Sequence, residues 1–158
     1  MKIEKLNPLL GKLIFFSLVF YMQWANSDPL IIEDKSGKKH TIQFSQNNWV
    51  VINYFATWCK PCRKEIPELV TFYDKHKRNN VNVLGVNVEN INAERLAIYI
   101  DHHMINYPVI QSSSTKETLL EPVVHLPLTY VFSPKGKLVQ RIVGIVSHHQ
   151  LEGIIKDD

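Results

Sequence analysis

An apolar run, Val50-Val51-Ile52-Asn53-Tyr54-Phe55, leads within three residues into Trp58-Cys59-Lys60-Pro61-Cys62, and a helix-like stretch carrying Arg63, Lys64, Glu65, Glu68 and Leu69 follows directly. These are the only two cysteines among 158 residues, so the spacing is not one accident among many thiols. A Cys-x-x-Cys pair can open and close a disulfide without large backbone motion. A strand that delivers a cysteine to the mouth of a helix is a device for making a reactive thiol. The first reading is redox chemistry on an α/β scaffold.

Only the thiolate attacks a disulfide, and a free cysteine with a pKa near ~8.5 is mostly protonated at neutral pH. At a helix N-terminus Cys59 meets unsatisfied backbone N–H groups and the positive end of the macrodipole, both of which favour the anion. Lys60 and Arg63 add positive charge that solvent weakens. Cys62, one helical turn deeper, is placed to attack a mixed disulfide and release the partner. Pro61 falls in the first turn, where its missing N–H costs little. Three other uses of the pair stand beside dithiol exchange. A structural disulfide would close only a short loop and gain little entropy. A zinc site would need two further ligands. A copper-handling site would need Cys59, Cys62 and a histidine.

At 158 residues the chain has one domain's worth of length, enough to bury a core. Residues 1–27 read as separate from that core. Lys2, Lys5 and Lys12 precede Leu13-Ile14-Phe15-Phe16-Ser17-Leu18-Val19-Phe20-Tyr21-Met22, and Ala25-Asn26-Ser27 supplies small residues. Basic start, short apolar middle and small exit describe a secretory signal peptide. An uncleaved N-terminal membrane anchor is the alternative, although the apolar run is shorter than the roughly 20 residues a spanning helix needs. Either way, residues 28–158 form the working domain and are expected outside the cytoplasm, in a periplasmic setting, soluble or tethered to the inner membrane. The formal charge of +3 falls to +1 once Lys2, Lys5, Lys12 and Glu4 are set aside. No Lys/Arg run of nucleic-acid type remains, so nucleic acid is rejected as a partner.

Along that domain, Leu30–Glu33 and Lys39–Gln43 flank the turn signal Ser36-Gly37 and read as short strands or a hairpin. Trp49–Phe55 reads as a strand buried on both faces. A helix is expected from Cys59 to about Lys77, with Ile66, Leu69, Val70 and Tyr73 at helical spacing and a kink at Pro67. Val81–Val88 is the next central strand, and Asn92 caps a helix carrying Leu96 and Ile100. Tyr107–Ile110 is a short extended piece, and Ser114–Glu121 another helical turn or two. Leu128–Ser133 and Lys137–Val143 form a hairpin around Pro134-Lys135-Gly136, and Ser147 caps a last helix through Ile155. The order predicts an α/β sandwich with a mixed central sheet flanked by helices.

Two stretches carry a family resemblance: Asn53-Tyr54-Phe55-Ala56-Thr57-Trp58-Cys59-Lys60-Pro61-Cys62-Arg63-Lys64-Glu65-Ile66-Pro67, and Leu126-Pro127-Leu128-Thr129-Tyr130-Val131-Phe132 with Pro134-Lys135-Gly136-Lys137-Leu138-Val139. The sequence resembles the thioredoxin superfamily, within it the exported TlpA/ResA-like branch, over roughly Leu30 to Ile155. The resemblance implies a thioredoxin-like fold with an N-terminal strand or hairpin extension and an inserted strand–helix segment. It also implies a cis proline facing the disulfide, by position Pro127, with Leu126 offering backbone groups to a substrate. Trp58, Lys60 and Pro61 complete the expected substrate contacts. Thioredoxin has an acidic residue six positions before the first cysteine, and here Asn53 stands there, as in the branch. The branch often has a glutamate six positions after that cysteine, which is Glu65 here. Glu65 is then the expected acid/base for the Cys62 proton, raising thiol pKa values by like charge; a solvated surface glutamate is the bland alternative.

Two positions depart from the family: His125 stands where glycine is common and Leu128 where threonine is common. Both changes fall on the presumed substrate rim. His102-His103 and His148-His149 read as exposed helix ends. The resemblance implies a disulfide reductase acting on exported proteins, apocytochrome c among them. Cys59, Cys62 and Glu65 are its catalytic residues, with no cofactor and no metal. Electrons would come from a membrane donor of the DsbD/CcdA type. An oxidant or isomerase of exported proteins is the second enzyme reading, and a copper chaperone or assembly factor is the reading from another class.

Overall fold

A computed structural model describes residues 30–33, 39–42, 48–112 and 123–156. In chain order the elements are strand β1 (Leu30–Glu33), β2 (Lys39–Ile42), β3 (Trp49–Phe55), helix α1 (Lys60–His76), β4 (Val81–Asn87), α2 (Ala93–His102), β5 (Val109–Gln111), β6 (Leu128–Phe132), β7 (Leu138–Val143) and α3 (His148–Lys156). The segment 1–27, the Ser36-Gly37 turn and the helical piece expected over 114–121 lie outside the described residues.

β1 and β2 pair antiparallel as a separate two-stranded sheet, with Leu30 opposite Ile42. The main sheet runs β5-β4-β3-β6-β7. β3 and β4 are parallel, with α1 as their crossover, and β4 and β5 are parallel, with α2 between them. β6 and β7 are antiparallel to their neighbours, as a tight hairpin must be. Ser133 and Gly136 close that hairpin, with the Gly136 N–H on the Ser133 carbonyl at 2.9 Å. The mixed sheet expected from the order of elements is present.

β3 is apolar throughout because both its faces are covered. Val51 packs with Ile66, Leu69 and Phe72 of α1 and Leu151 of α3, whereas Val50, Ile52 and Tyr54 point the other way, among Leu128, Tyr130 and Phe132. The two clusters follow the period-two alternation of a strand. Each of these side chains contributes about 1.5–3 kcal/mol on burial. Gly85 in β4 sits where a Cβ would lie 3.1–3.3 Å from Val109, Tyr107 and Phe55, so glycine lets the β5 end pack close. α1 buries Cys62, Glu65, Ile66, Leu69 and Phe72, the spacing of one helical face. It runs through Pro67, whose missing N–H leaves the Arg63 carbonyl without its helical partner. Among the described residues no helix is long and apolar enough to cross a membrane.

Candidate active site

β3 ends at Phe55, and Ala56-Thr57-Trp58 carries the chain to Cys59, the N-cap of α1. Cys59 and Cys62 are joined by a disulfide with Cα atoms 5.3 Å apart. The Cys62 N–H lies 3.2 Å from the Cys59 sulfur. When the disulfide opens, the same N–H is placed to donate to a Cys59 thiolate. No acidic residue occupies the first turn of α1, so nothing there opposes the macrodipole. Cys59 is 4 % exposed and Cys62 1 %, so both cysteines are buried and only Cys59 lines the cavity.

A cavity of about 580 Å³ opens beside the disulfide. The helix-mouth loop supplies Trp58, Cys59, Lys60 and Pro61. The residues just after β4 supply Val88 and Glu89, and the segment before β6 supplies Val124, His125 and Leu126. Trp58 is 68 % exposed, an apolar ring held at the rim. The Leu126–Pro127 bond is cis, as the resemblance implies, and Pro127 is buried behind Leu126. The sequence-derived contacts Trp58, Lys60, Pro61 and Leu126 therefore share one cavity with Cys59.

Glu65 is 1 % exposed, which overturns the alternative of a solvated surface glutamate. The Asn53 side-chain amide donates to one of its oxygens and also reaches Thr129 Oγ1 at 3.0 Å. The Val146 N–H donates to the other oxygen at 3.1 Å. Burial pushes the Glu65 carboxyl up to about 7, against the bonds from Val146, Asn53 and Thr129, which lower it. A carboxyl poised near neutrality suits proton transfer. Burial also raises the Tyr107 hydroxyl well above its ordinary value, and the Glu65 charge adds to that effect.

Several contacts had no counterpart in the sequence reading. Glu89 accepts from the Thr57 N–H at 2.5 Å and from the Thr57 hydroxyl at 3.0 Å, two residues before Cys59. The Gln111 side chain in turn donates to the carbonyls of Glu89 and Ile91 at 2.9 and 2.6 Å. Position was the available signal: Glu89 follows the carboxyl end of a strand parallel to β3, where sites in α/β sheets form. The histidine pairs are only partly as expected. His102 is exposed at the end of α2, but His148 is half-buried, its ring nitrogen 2.5 Å from Glu68 Oε2. Among the described residues no group of three His, Cys, Asp or Glu side chains is disposed to hold a metal ion.

A mixed sheet, a Cys-x-x-Cys disulfide at the mouth of the helix after its central strand, and a cis Leu126–Pro127 bond whose Leu126 packs against the cluster holding the two cysteines define a thioredoxin-like thiol–disulfide oxidoreductase. The sequence pattern of the AhpC/TSA family matches residues 27–141, and the chain belongs to that family. A relative named thiol-disulfide oxidoreductase ResA, from Bacillus cereus (strain ZK / E33L), is 28 % identical over 145 residues, 90 % of this chain and 82 % of its own. The fold is shared with StoA from Bacillus subtilis (TM-score 0.64, 22 % identity, 80 % of this chain and 96 % of that one). It is shared too with a DsbF homologue from Corynebacterium diphtheriae (TM-score 0.71, 20 % identity, 85 % and 87 %).

Proposed function

We propose that this protein works outside the cytoplasm as a reductase of protein disulfides, with residues 1–27 directing or tethering it there and residues 28–158 doing the chemistry. The observation that carries this reading is the Cys59 sulfur, held at the helix mouth and lining an open cavity, with the acid Glu65 buried one turn beyond Cys62. In the reduced protein the Cys59 thiolate attacks one sulfur of a substrate disulfide. That S–S bond breaks, and the second substrate sulfur leaves as a thiolate that takes a proton from water. Cys62 gives its proton to Glu65 and attacks the Cys59 sulfur. The mixed disulfide breaks, the first substrate sulfur leaves as a thiolate that takes a proton from water, and Glu65 returns its proton to water. The substrate has gained two electrons and the protein holds the Cys59–Cys62 disulfide. A membrane dithiol donor of the DsbD/CcdA type returns two electrons. Trp58, Lys60, Pro61 and the backbone at Leu126–Pro127 hold the extended substrate beside Cys59, and the CXXCH segment of apocytochrome c is a substrate of suitable form.

The test is the reduction potential of the full chain equilibrated in glutathione and dithiothreitol buffers. A value below roughly −220 mV supports a reductase, and one near about −120 mV makes the protein an oxidant and removes the apocytochrome reading. Cys62→Ser is expected to trap mixed disulfides in cells and Cys59→Ser to trap none; equal trapping by both would reverse the assigned thiol roles.

A further inference from the structure

Between β7 and α3 the chain runs Gly144-Ile145-Val146-Ser147-His148, and every second N–H along it points to the same side of the molecule. The Gly144 N–H donates to the Pro127 carbonyl at 2.9 Å. The Val146 N–H donates to Glu65 Oε2 at 3.1 Å, and the His148 N–H to Glu68 Oε2 at 3.0 Å. The period of two is that of a strand edge, but the acceptors belong to different parts: the cis proline after Leu126, the buried acid, and a second acid on the same helix. Val146 is fully buried while Ile145 is half exposed, so the segment is seated by the Val146 side chain, and these three bonds tie it to the rest of the fold. Gly144 enters it at φ +97°, a conformation in which a side chain would be strained.

Glu68 holds the far end of this strap twice, because the same oxygen also accepts from the His148 ring at 2.5 Å. We propose that Glu68 and His148 are positioning residues for the proton step: their pairing anchors the strap so that the Val146 N–H stays on the Glu65 carboxylate. This rests on the reading of Glu65 as the acceptor of the Cys62 proton. An N–H on a carboxylate favours its charged form, so the anchor holds down a carboxyl that burial alone would drive higher. The first bond of the strap, on Pro127, ties the same segment to the loop that meets the substrate.

The groups facing Glu65 are Asn53 on β3, Thr129 on β6, the Val146 N–H and, electrostatically, Tyr107 from the turn before β5. Those facing Glu68 are His148 and His149. This gives the test a sign. If Glu68 acted on Glu65 only as a neighbouring negative charge, removing it would lower the Glu65 pKa. If it anchors the strap, Glu68→Ala loosens the Val146 N–H and the pKa rises. Glu68→Gln removes the charge but keeps an acceptor for the His148 N–H, so it should restore the wild-type value or fall slightly below it.

The experiment follows the carboxyl 13C shift of Glu65 with pH in the oxidised full chain, assigned by its loss in Glu65→Gln, and beside it the pH dependence of disulfide reduction. Glu68→Ala is expected to move the Glu65 midpoint upward by roughly half a pH unit or more, and His148→Ala, which keeps its backbone N–H on Glu68 but loses the ring contact, to move it upward by less. The pH–rate midpoint should follow, and Glu68→Gln should rescue both. A Glu65 midpoint that is unmoved or lowered in both alanine variants overturns the anchor. A midpoint that rises while the pH–rate profile stays put shows that the strap governs Glu65 but Glu65 does not govern the reaction. That result overturns the proton role of Glu65 and with it the positioning role.

Discussion

The Asn53 side-chain amide donates to the carboxyl of Glu65 across the contact between β3 and α1, twelve residues apart in sequence and both buried. An acid with its ordinary pKa would be ionised at neutral pH. Here burial holds the carboxyl near 7 although Asn53, Thr129 and the Val146 N–H all favour the charge. Desolvation wins over three hydrogen bonds, which leaves a carboxyl that can change charge near neutral pH one helical turn beyond Cys62.

Stability should register that outcome. The folded pKa of Glu65 is about 7 against 4.5 for the free group, so the native state binds more protons than the unfolded state between those values. Its stabilising contribution is full below pH 4.5 and is lost as pH rises through 7. The loss amounts to roughly 3 kcal/mol. Glu65→Gln should therefore match wild type near pH 4 and exceed it by pH 8, with urea denaturation of the oxidised proteins as the measurement. Parallel pH dependences of the two proteins would show that Glu65 does not titrate in this range.

The bidentate grip of Glu89 on Thr57 fixes the loop that carries Trp58 and Cys59. Glu89→Ala strips an acceptor from a half-buried N–H and should cost about 1–3 kcal/mol, with Thr57→Val costing about 1 kcal/mol through the hydroxyl alone. Glu89→Gln retains an acceptor and should lie between wild type and Glu89→Ala. Because the loop also sets the Cys59 sulfur, the second-order rate of Cys59 with a small disulfide should fall in Glu89→Ala more than in Thr57→Val. Equal rates in both variants would limit Glu89 to a structural role.

Most of the architecture was legible because each element carries its own local signal. Trp49–Phe55 was read as a strand from its apolar continuity, α1 from the spacing of Ile66 and Leu69, and α2 from Asn92, whose side chain accepts the Arg95 N–H at 2.8 Å. The thiols were legible because their chemistry and their placement at a strand-to-helix junction are both local. Glu65 was located by resemblance, but its burial was not readable: it depends on β6 and the strap before α3 closing over α1. Glu89, Gln111 and the Glu68–His148 pair were missed for the same reason. Their partners are 20 to 80 residues away, and no periodicity marks a polar side chain whose role is to hold another segment's backbone.

Gly85 is a packing prediction of the opposite kind. A Cβ there meets Val109 at 3.1 Å and the rings of Tyr107 and Phe55 at 3.2 and 3.3 Å. Gly85→Ala should cost about 1–3 kcal/mol through overpacking. Since Val109 makes the closest contact, Val109→Ala in the same chain should recover part of that cost, giving a non-additive cycle by denaturant unfolding. Strict additivity would place the strain on the aromatic rings instead.

At the far end of α1, Lys75 and His76 meet Glu152 of α3 at 2.7 and 3.5 Å. The Lys75 bond is the main cause that holds the Glu152 carboxyl down to about 2. A depressed carboxyl contributes stability above its unfolded pKa and loses it as pH falls toward the folded value. Wild type should therefore lose more of its Tm between pH 6 and pH 2 than Glu152→Gln does, measured by circular dichroism. A steeper acid loss in the variant would contradict the pairing.

Trp58 and His125 share the cavity with Cys59, but neither is buried. Substitution of Trp58, 68 % exposed, removes little packing, so Trp58→Ala should stay within about 0.5 kcal/mol of wild type. The same holds for His125→Ala. Under the proposed function both variants remove contact area for a bound chain, so the loss should appear only when a substrate is large enough to fill the cavity. With a peptide disulfide, KM should rise severalfold while kcat changes little, the mark of binding shared by ground and transition states. With a small aromatic disulfide the two variants should match wild type, and the Cys59–Cys62 potential should stay where it is. A shifted potential in His125→Ala would instead place that ring in the electronics of the thiol. A copper(I) stoichiometry lost in the same variant would move the protein toward metal handling.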